Sequence, residues 1–397
     1  MNLLVISELF WPEGSGGTLA VYLTTKLLAK YANLDITVVT GSKNPVIIKG
    51  IKYIIDPTLT ASNRMALWLR LSNPLVIRRF EKLMQHFDII YIPYCFPLIP
   101  LAKRLKKKTV THLHDYQSVI FNSTIMYGQK DNFVSDLKAE VVYELLEHSD
   151  RMKMLGSFFS MPTSLLCRTW VSEADTIICV SKRQAALVQD RLPGVKHKLK
   201  VVYNPLPDIP LIKKKTNGPT LIYIGGDSYV KGFHVFLKAS YEFLQLQSNA
   251  RFLLSRDYKN SQYKQVIENL NKNFSGAYRL LGHLKHESLL NLHSTSHALL
   301  FPSIWEEPLP YAIVESMLCG TIPIASRVGG IPEIVQGTYV EKMLFEPGVA
   351  EESVDRIETV LSLSDESLID IGASLRENIQ KRFNTSLLCS QFLDVFS

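Results

Sequence analysis

Residues 301–326 read FPSIWEEPLPYAIVESMLCGTIPIAS, and this stretch indicates the fold class. An aliphatic run ends near Ser303, a helix is predicted to start near Pro308, and Gly320 supplies its C-terminal stop before a second aliphatic run. A buried strand, a helix and another buried strand in this order are typical of a parallel sheet covered by helices. The sequence therefore predicts an α/β protein.

The same alternation extends through the chain of 397 residues, which is longer than one hydrophobic core usually supports. In the first half, strands are predicted at 2–7, 35–40, 88–92, 108–112, 176–180 and 199–203. In the second half, strands are predicted at 220–225, 251–255, 278–281, 298–302 and 322–326. Two separate sheets follow from this pattern.

The boundary between the sheets is marked by a change of composition. Residues 203–208 read YNPLPD and a polar run follows at 213–218, which is typical of a linker. The predicted divisions are a Rossmann-like domain at 1–205 with a helical insertion at 117–170, a Rossmann-like domain at 206–380, and a last helix at 381–397 expected to pack back on the first domain.

The net charge of +7 suits a polyanionic partner: a phosphorylated small molecule, anionic lipid or nucleic acid. The densest basic cluster, at 103–108, ends a predicted helix that starts near Pro97, where the helix dipole favours cations and a solvated face explains them. A nucleic-acid binder rests on charge alone, because no recognition motif supports it.

The cysteine pattern and the N-terminus predict a cytoplasmic protein. Five scattered cysteines, without paired spacing, argue against a disulfide framework and against a zinc site. The first residues read as a buried strand instead of a signal peptide, and no apolar stretch reaches the roughly 18 residues that cross a bilayer. At a membrane, such a protein would lie on the surface.

A glycine-rich turn at 13–18 follows the first predicted strand. Glycines let a backbone approach a ligand closely, and the start of the next helix favours an anion. Leu19 stands where a dinucleotide-binding loop needs its third glycine, and the second strand ends without the acidic residue that holds a ribose, so a dehydrogenase is disfavoured. The GxxxxGK[ST] loop is also missing. A phosphate-binding turn and a turn needed only for packing both remain open.

Two carboxylates belong to the helix of the opening stretch. Glu307 is expected at its positive end and Glu315 two turns inside, about 12 Å away along the axis, which is on the scale of a sugar diphosphate. Apolar neighbours predict a buried Glu315, which then needs hydrogen-bond donors such as ribose hydroxyls. The alternative is an acidic first turn that stabilises the dipole, with Glu315 paired to a Lys or Arg.

The sequence around this pair of glutamates resembles that of the retaining glycosyltransferases of family 4. Their signature is E-x7-E followed by a proline-containing strand, a glycine pair and another glutamate, which stands here as Glu307, Glu315, Pro323, Gly329-Gly330 and Glu333. The resemblance spans nearly the whole chain and is weakest at 42–108 and 117–170. Its further matches are 223–232, 174–181, 202–205, His112 to Asp115 and Gly16-Gly17.

This resemblance implies the GT-B fold, in which two Rossmann-like domains face each other across a cleft and the first domain binds the acceptor. It also implies a nucleoside diphosphate sugar as co-substrate, with no separate cofactor. Lys231 would neutralise the diphosphate, Glu307 would contact the transferred sugar, and Glu315 would hold the ribose. Backbone amides at Leu309 and Tyr311 would complete an anion site.

In the first domain, the resemblance places Gly16 and Gly17 near the phosphate and His114 beside the reacting sugar. Closure of the two lobes would exclude water and limit hydrolysis of the donor. Transfer is expected to retain the anomeric configuration without a covalent intermediate. Since no D-x-D sequence occurs, no metal ligands are predicted and catalysis is expected to be metal-independent.

Three positions depart from the family pattern. Gly226 stands where the family usually has a phosphate-binding arginine, and we hypothesise that Arg256, after the strand at 251–255, substitutes for it. Pro310 stands where the family usually has glycine and cannot donate an N–H. His112 competes with His114 for the catalytic position, but only His114 precedes an aspartate, so His112 is interpreted as a core residue.

Rival functions remain open at this point. A GT-B epimerase or phosphorylase would use the same fold, and a non-catalytic binding protein or partner subunit would explain Gly226 and Pro310. The acceptor is expected to be a glycan or a lipid-linked molecule. The basic cluster and the aromatic residues of the insertion permit contact with an anionic membrane at its cytoplasmic face, although core packing explains the aromatics equally well. Those aromatics are Phe121, Tyr127, Phe158 and Phe159.

Overall fold

The computed structural model describes residues 1–61, 63–147, 161–211, 218–246 and 250–396. Phe158, Phe159 and most of the polar run predicted at 213–218 lie outside these residues. Within the described parts, the chain forms two compact units. The first unit takes its residues from Met1–Thr124, Gly156–Leu206 and Phe383–Ser397, and the second unit from Ile125–Leu155 and Pro207–Arg382.

The first unit is built on a seven-stranded sheet in the order β3-β2-β1-β4-β5-β6-β7, and every pair of neighbours is parallel. The strand at Asn2–Ser7 is mainly aliphatic and buried from its second residue on, as helices on both sides of a parallel sheet require. The strands are β1 Asn2–Ser7, β2 Asp35–Thr40, β3 Lys52–Ile55, β4 Ile89–Tyr91, β5 Lys108–Leu113, β6 Thr176–Cys179 and β7 Leu199–Val201.

The second unit is built on a six-stranded parallel sheet in the order β10-β9-β8-β11-β12-β13. Its strands are β8 Thr220–Tyr223, β9 Arg251–Ser255, β10 Tyr278–Gly282, β11 Ala298–Phe301, β12 Ile322–Ser326 and β13 Leu344–Phe345. In each sheet the order reverses beside the first strand of the unit, between β1 and β4 and between β8 and β11. Both units are therefore Rossmann-like, as predicted.

Helices connect the strands in both units. In chain order they are α1 Gly16–Tyr31, α2 Arg64–Leu71, α3 Pro74–Met84, α4 Ile99–Arg104, α5 Phe133–Glu147, α6 Ser164–Glu173, α7 Lys182–Arg191, α8 Phe233–Leu246, α9 Ser261–Asn273, α10 His286–Thr295, α11 Tyr311–Leu318, α12 Ile331–Val335, α13 Ala350–Leu361, α14 Asp365–Arg382 and α15 Thr385–Phe396. Among them, none combines the length and the apolar character that crossing a membrane requires.

All eleven predicted strands are present, with ends that differ by at most two residues. The sequence missed β3 and β13, which are short and lie at the edges of their sheets. Most of β3 is exposed and β13 has two residues, so neither forms the continuous buried run by which the other strands were recognised.

Two chain segments belong to a unit that is not the one nearest in sequence. The last helix, α15, is part of the first unit, where Phe396 packs edge-on against Tyr91 with ring centroids 5.4 Å apart. Segment 125–147, which includes α5, groups with the second unit, whereas the sequence analysis assigned it to an insertion of the first domain. The reason is backbone pairing: Met126 forms an antiparallel bridge with Trp305.

Candidate active site

Loops at the carboxyl ends of β8 and β11 form the centre of the candidate site. These strands are neighbours at the point where the strand order of the second sheet reverses, and ligands of open parallel sheets bind at such a point. The loops are joined by two hydrogen bonds to the carbonyl oxygen of Val230, from Ile304 N at 3.0 Å and from Ser303 Oγ at 3.1 Å.

Lys231 and Glu307 form an ion pair across these loops. The distance from Lys231 Nζ to Glu307 Oε1 is 2.7 Å. The same oxygen accepts hydrogen bonds from Ser303 Oγ at 2.9 Å and from Trp305 Nε1 at 2.7 Å. The Glu307 side chain is 4% exposed and depends on these donors, whereas the Lys231 side chain is 33% exposed. The carboxylate is therefore fixed, and the ammonium group reaches the surface.

Two glycines in segments that resemble the family allow the backbone to pack closely around this pair. A Cβ at Gly232 would lie 1.8 Å from the carbonyl oxygen of Pro302, and one at Gly329 would lie 1.9 Å from that of Glu307. Both glycines have a positive φ, +74° and +54°. Gly330 N donates to the Glu307 carbonyl at 2.8 Å, so the glycine pair fixes the backbone that carries the glutamate.

Glu306, which belongs to the acidic first turn of the alternative interpretation, has a different role in the structure. Its side chain is buried, and Oε2 accepts a hydrogen bond from Gly329 N at 2.8 Å. The two adjacent glutamates therefore face different partners: Glu306 holds the glycine pair and Glu307 meets the lysine.

The helix after Glu307 starts later than predicted. α11 begins at Tyr311, three residues beyond the predicted start at Pro308. Pro310 caps it in an extended conformation, with φ −73° and ψ 120°, and a residue that precedes a proline is also pushed away from helical angles. The prediction that Glu307 and Glu315 are separated along one helix axis is therefore wrong, because Glu307 lies outside the helix.

The predicted amide donors lie at this helix start. Leu309 and Tyr311 flank Pro310, which has no N–H, and both side chains are buried. Tyr311 is the first residue of α11, where backbone N–H groups point out of the helix end. The position is suitable for an anion, and the ligand contact stays a prediction.

Glu315 lies inside α11 and is paired with a histidine that the sequence analysis missed. His286 Nε2 donates to Glu315 Oε1 at 2.7 Å. The Glu315 side chain is 6% exposed, as its apolar neighbours predicted. The hydrogen bond to Glu315 raises the pKa of His286 above its ordinary value, against the opposing effect of burial. His286 is the first residue of α10, just after β10, and this place near a strand end was its only signal in the sequence.

Arg256 lies beside the glycine that replaces the family's arginine. A Cβ at Gly226 would lie 3.4 Å from Arg256 Cβ and 3.9 Å from Arg256 Cδ. Arg256 adopts a φ of +79°, in the left-handed region that non-glycine residues rarely use. The aliphatic part of the Arg256 side chain therefore lies next to the position that a Cβ at residue 226 would occupy.

In the first unit, the structure brings Gly17 and His114 together. Gly16 and Gly17 open α1, after β1, and His114 follows β5. A Cβ at Gly17 would lie 1.8 Å from Tyr94 Oη and 3.2 Å from His114 Cβ. The glycine is thus required for close packing, which supports the packing interpretation of this turn without excluding a bound phosphate.

The two ring nitrogens of His114 are buried, although the residue as a whole is partly exposed, and neither nitrogen has a hydrogen-bond partner among the described residues. Burial lowers its pKa to about 3, so the ring is neutral at physiological pH. The neighbouring Asp115 does not orient it, because Asp115 Oδ1 accepts a hydrogen bond from Gln117 N at 2.8 Å. The adjacent aspartate, which distinguished His114 in the sequence, instead stabilises a turn.

His112 is a core residue, as predicted, but it has a partner. Its Nδ1 lies 2.7 Å from Tyr91 Oη, and its ring centroid lies 4.1 Å from that of His114. Burial lowers the pKa of His112 well below its ordinary value. The two imidazoles are therefore neutral neighbours, with their ring planes tilted by 42°.

The basic cluster at 103–108 is largely engaged in contacts within the first unit. The helix that precedes it, α4, starts at Ile99 and ends at Arg104, earlier than the cluster does. Lys103 Nζ lies 2.5 Å from Asp175 Oδ1, Arg104 lies 3.8 Å from Glu81, and Lys107 donates to a backbone carbonyl at 2.9 Å. These contacts explain the cluster without an anionic ligand.

Two family profiles cover most of the chain between them. Glycosyltransferase Family 4 matches residues 15–208, and Glycosyl transferases group 1 matches residues 208–382. The chain belongs to glycosyltransferase family 4. Enzymes of this family transfer a sugar from a nucleotide sugar, and the family resemblance found in the sequence is confirmed.

Solved structures give the fold of this family-4 glycosyltransferase. Sucrose-phosphate synthase from Thermosynechococcus elongatus has a TM-score of 0.73 at 19% identity, and the match covers 100% of this chain and 98% of that one. Anabaena HepE in complex with UDP-glucose has a TM-score of 0.68 at 16% identity, covering 100% and 99%. The predicted GT-B fold class is confirmed.

Curated relatives are distant. A phosphatidylinositol N-acetylglucosaminyltransferase subunit from Arabidopsis thaliana is 22% identical over 91% of this chain and 75% of its own length, and the Homo sapiens protein of the same name is 22% identical over 88% and 66%. N-acetyl-alpha-D-glucosaminyl L-malate synthase from Bacillus anthracis is 25% identical over 77% and 80%. The names of these relatives include a lipid, phosphatidylinositol, and a small acid, L-malate. Similarity alone therefore does not identify the acceptor of this glycosyltransferase.

Among the described residues, no group of three or more His, Cys, Asp or Glu side chains is arranged to hold a metal ion. Metal independence stays a prediction.

Proposed function

We propose that this family-4 enzyme transfers a hexosyl group from a nucleoside diphosphate sugar with retention of configuration, and that the Lys231–Glu307 pair forms the centre of its donor site. The main support is the environment of one Glu307 carboxylate oxygen, which contacts the Lys231 ammonium and accepts hydrogen bonds from a serine hydroxyl and an indole N–H. The Lys231 side chain stays partly exposed. Glu307 keeps two neutral donors when the lysine moves. Lys231 can therefore turn to a diphosphate without leaving a buried carboxylate unsatisfied.

In this proposal, Lys231 stabilises the negative charge that develops on the departing diphosphate, which is the main demand of the reaction. Glu307 accepts hydrogen bonds from hydroxyls of the transferred sugar. Glu315 accepts them from the ribose, and its bond to His286 supports this role by fixing the orientation of the buried carboxylate. Backbone amides at Leu309 and Tyr311 add further donors to the phosphates.

Arg256 supplies a second phosphate cation in place of the arginine absent at residue 226. The contact of its stem with Gly226 supports this role, and so does its unusual backbone, since strained residues cluster at functional sites. Arg256→Ala is expected to weaken donor binding about tenfold, or about 1.4 kcal/mol. Arg251→Ala, at the opposite end of β9, is the matched control. Equal affinity in Arg256→Ala and the control would remove Arg256 from the site.

His114 and the Gly16-Gly17 turn contribute from the first unit in this proposal. The two unsatisfied nitrogens of His114 support a role as neutral hydrogen-bond partner of a sugar hydroxyl, since a buried polar group gains most from a ligand that pairs it. Its low pKa makes it a poor source of positive charge. Gly16 and Gly17 let the phosphate approach the backbone at the start of α1.

The donor can be found by thermal shift with uridine, guanosine and adenosine diphosphate sugars, since a ligand that binds the folded state stabilises it. Incubation of the stabilising donor with candidate acceptors then tests transfer, and nuclear magnetic resonance of the product reports the anomeric configuration. Repeating the reaction with a chelator tests metal independence. An inverted product would contradict retention, and binding without transfer or hydrolysis would favour the alternative of a non-catalytic partner protein.

For the acceptor, we propose a glycan or a lipid-linked molecule, with contact at the cytoplasmic face of a membrane. The names of the Arabidopsis and human relatives support a lipid acceptor. Exposed apolar side chains on α5, including Phe133 at 66% and Val134 at 61%, support the membrane contact better than the basic cluster at 103–108 does. Flotation with anionic liposomes tests this, and protein that stays at the bottom of the gradient would contradict the membrane part.

A further inference from the structure

Segment 125–147 contacts both loops of the candidate donor site. Near its start, it pairs with the loop after β11: Glu306 N donates to the Ile125 carbonyl at 2.8 Å, and Tyr127 N donates to the Ile304 carbonyl at 3.0 Å. These bonds flank Trp305, whose indole N–H donates to Glu307. The segment therefore adds a short backbone ladder to the loop that carries the sugar-binding glutamate.

At its other end, the segment reaches the loop after β8. Glu147 Oε2 accepts hydrogen bonds from Ser228 Oγ at 3.0 Å and from Val230 N at 3.2 Å. Ser228 Oγ in turn accepts from Lys231 N at 3.3 Å. A carboxylate on α5 is thus connected through one hydroxyl to the backbone of the proposed phosphate-binding lysine.

Helix α5 buries acidic side chains and exposes apolar ones. Glu140 and Glu144 are 1% and 8% exposed, whereas Leu146 is 47% exposed. Burying carboxylates while exposing leucine costs free energy unless the carboxylates find partners, and Glu140 and Glu144 both interact with other groups of the protein. Together with Glu147, these residues place a row of acids, spaced by four and three residues, along the inner side of the helix.

We propose that segment 125–147 positions the donor loops and that Glu147 is a positioning residue for Lys231. The inference rests on the proposed function, because it assigns Lys231 to the diphosphate. Glu147 touches no substrate: it fixes the turn at 228–231, and the backbone ladder fixes 304–306. The Lys231 ammonium and the Glu307 carboxylate are thereby held in position before the donor binds. Less conformational entropy is then lost when the donor binds.

Hydrogen exchange of the ligand-free protein tests the positioning directly. In Glu147→Ala, the amides of 228–232 are expected to exchange about tenfold faster, equivalent to about 1.4 kcal/mol. Glu147→Gln keeps an acceptor oxygen and should restore most of the protection. Leu146→Ala, which truncates an exposed neighbour on the same helix, is the control and should exchange like wild type. Unchanged exchange in Glu147→Ala would overturn the proposal.

Binding of uridine, guanosine and adenosine diphosphates tests the link to Lys231. With whichever nucleotide binds wild type, Glu147→Ala should raise Kd about tenfold. In a Lys231→Ala background, the same substitution should add almost nothing, since residues that act through one group are not additive. Full additivity would overturn the proposal. If wild type binds none of the three nucleotides, the proposed function fails, and hydrogen exchange still decides whether Glu147 orders the loop.

If Glu147→Ala does not fold, Ser228→Ala carries the same test. It removes the hydroxyl that joins Glu147 to Lys231 N and leaves the helix intact. Faster exchange at 228–232 with weaker nucleotide binding supports the proposal, and wild-type behaviour in both measurements overturns it.

Discussion

The two units present their candidate residues in opposite ways. In the second unit, the two glutamates of the E-x7-E motif are buried with partners: Glu307 meets Lys231, and Glu315 meets His286. In the first unit, both ring nitrogens of His114 are buried, and neither is hydrogen-bonded to any described residue. The candidate residues of the second unit are thus held by internal contacts, whereas in the proposed function the imidazole gains its partners from a ligand. Substitutions should therefore damage the second unit through lost contacts and the first through lost ligand binding.

Lys231→Ala should have the largest effect on activity. It removes the one cation that contacts Glu307 in the described structure, and kcat/KM for transfer should fall about 100-fold or more, as when a group that stabilises developing charge is lost. Steady-state kinetics with the identified donor measures this. Lys238→Ala is the control, because Lys238 lies on the exposed side of α8 and pairs with Glu351. A fall below about tenfold would mean that the pair is structural.

Gly329→Ala should be the most destabilising of these substitutions. The new Cβ would meet the Glu307 carbonyl at 1.9 Å, and the positive φ adds strain. Gly337→Ala is a matched control, since Gly337 also has a positive φ, +71°, but its Cβ would meet nothing within 4 Å. The control should lose about 1 kcal/mol of unfolding free energy, and Gly329→Ala at least about 3 kcal/mol. Denaturant titration measures both, and equal losses would contradict the close-packing role.

Most of the fold could be predicted because parallel strands are continuous aliphatic runs, as at 298–302 and 322–326. The edge strands β3 and β13 could not, since one is largely exposed and the other has two residues. For the candidate site, the sequence motif predicts Lys231, Glu307 and Glu315, but pairing across elements leaves no trace in local spacing. For this reason the contact between His286 and Glu315 was missed.

Backbone chemistry also limited the prediction. The start of α11 was misplaced because Pro308 was interpreted as the first helical residue, while Pro310 forces the chain to stay extended until Tyr311. Segment 125–147 was assigned to the first domain by its position in the sequence, and its grouping with the second unit depends on backbone bonds to 304–306 that no side-chain pattern reveals.

His114 should make the protein less stable in acid. Its pKa is about 3 in the folded state, below the ordinary value near 6.5, so the unfolded chain binds a proton that the folded chain does not. Stability should therefore fall as pH drops from about 6.5 towards 3. His114→Asn should reduce this slope while weakening donor binding, because the sugar loses its partner. Unfolding free energy measured from pH 7 to 4 tests the first effect, and an unchanged slope would contradict the buried neutral imidazole.

His286→Gln should have the smallest effect, with the opposite pH dependence. The pKa of His286 is raised by its hydrogen bond to Glu315, so the charged pair stabilises the fold below the ordinary pKa, and this stabilisation is lost as pH rises through the raised value. Because His286 is 31% exposed, the contribution should stay below about 1 kcal/mol. The difference in melting temperature between wild type and His286→Gln should be largest at pH 6 and should shrink towards pH 9, since glutamine replaces the neutral imidazole as a donor to Glu315 but cannot replace its charge. A difference that grows with pH would mean that the imidazole is neutral in the fold, and the contact between His286 and Glu315 would then be a neutral hydrogen bond, unlike the charged pair of Lys231 and Glu307.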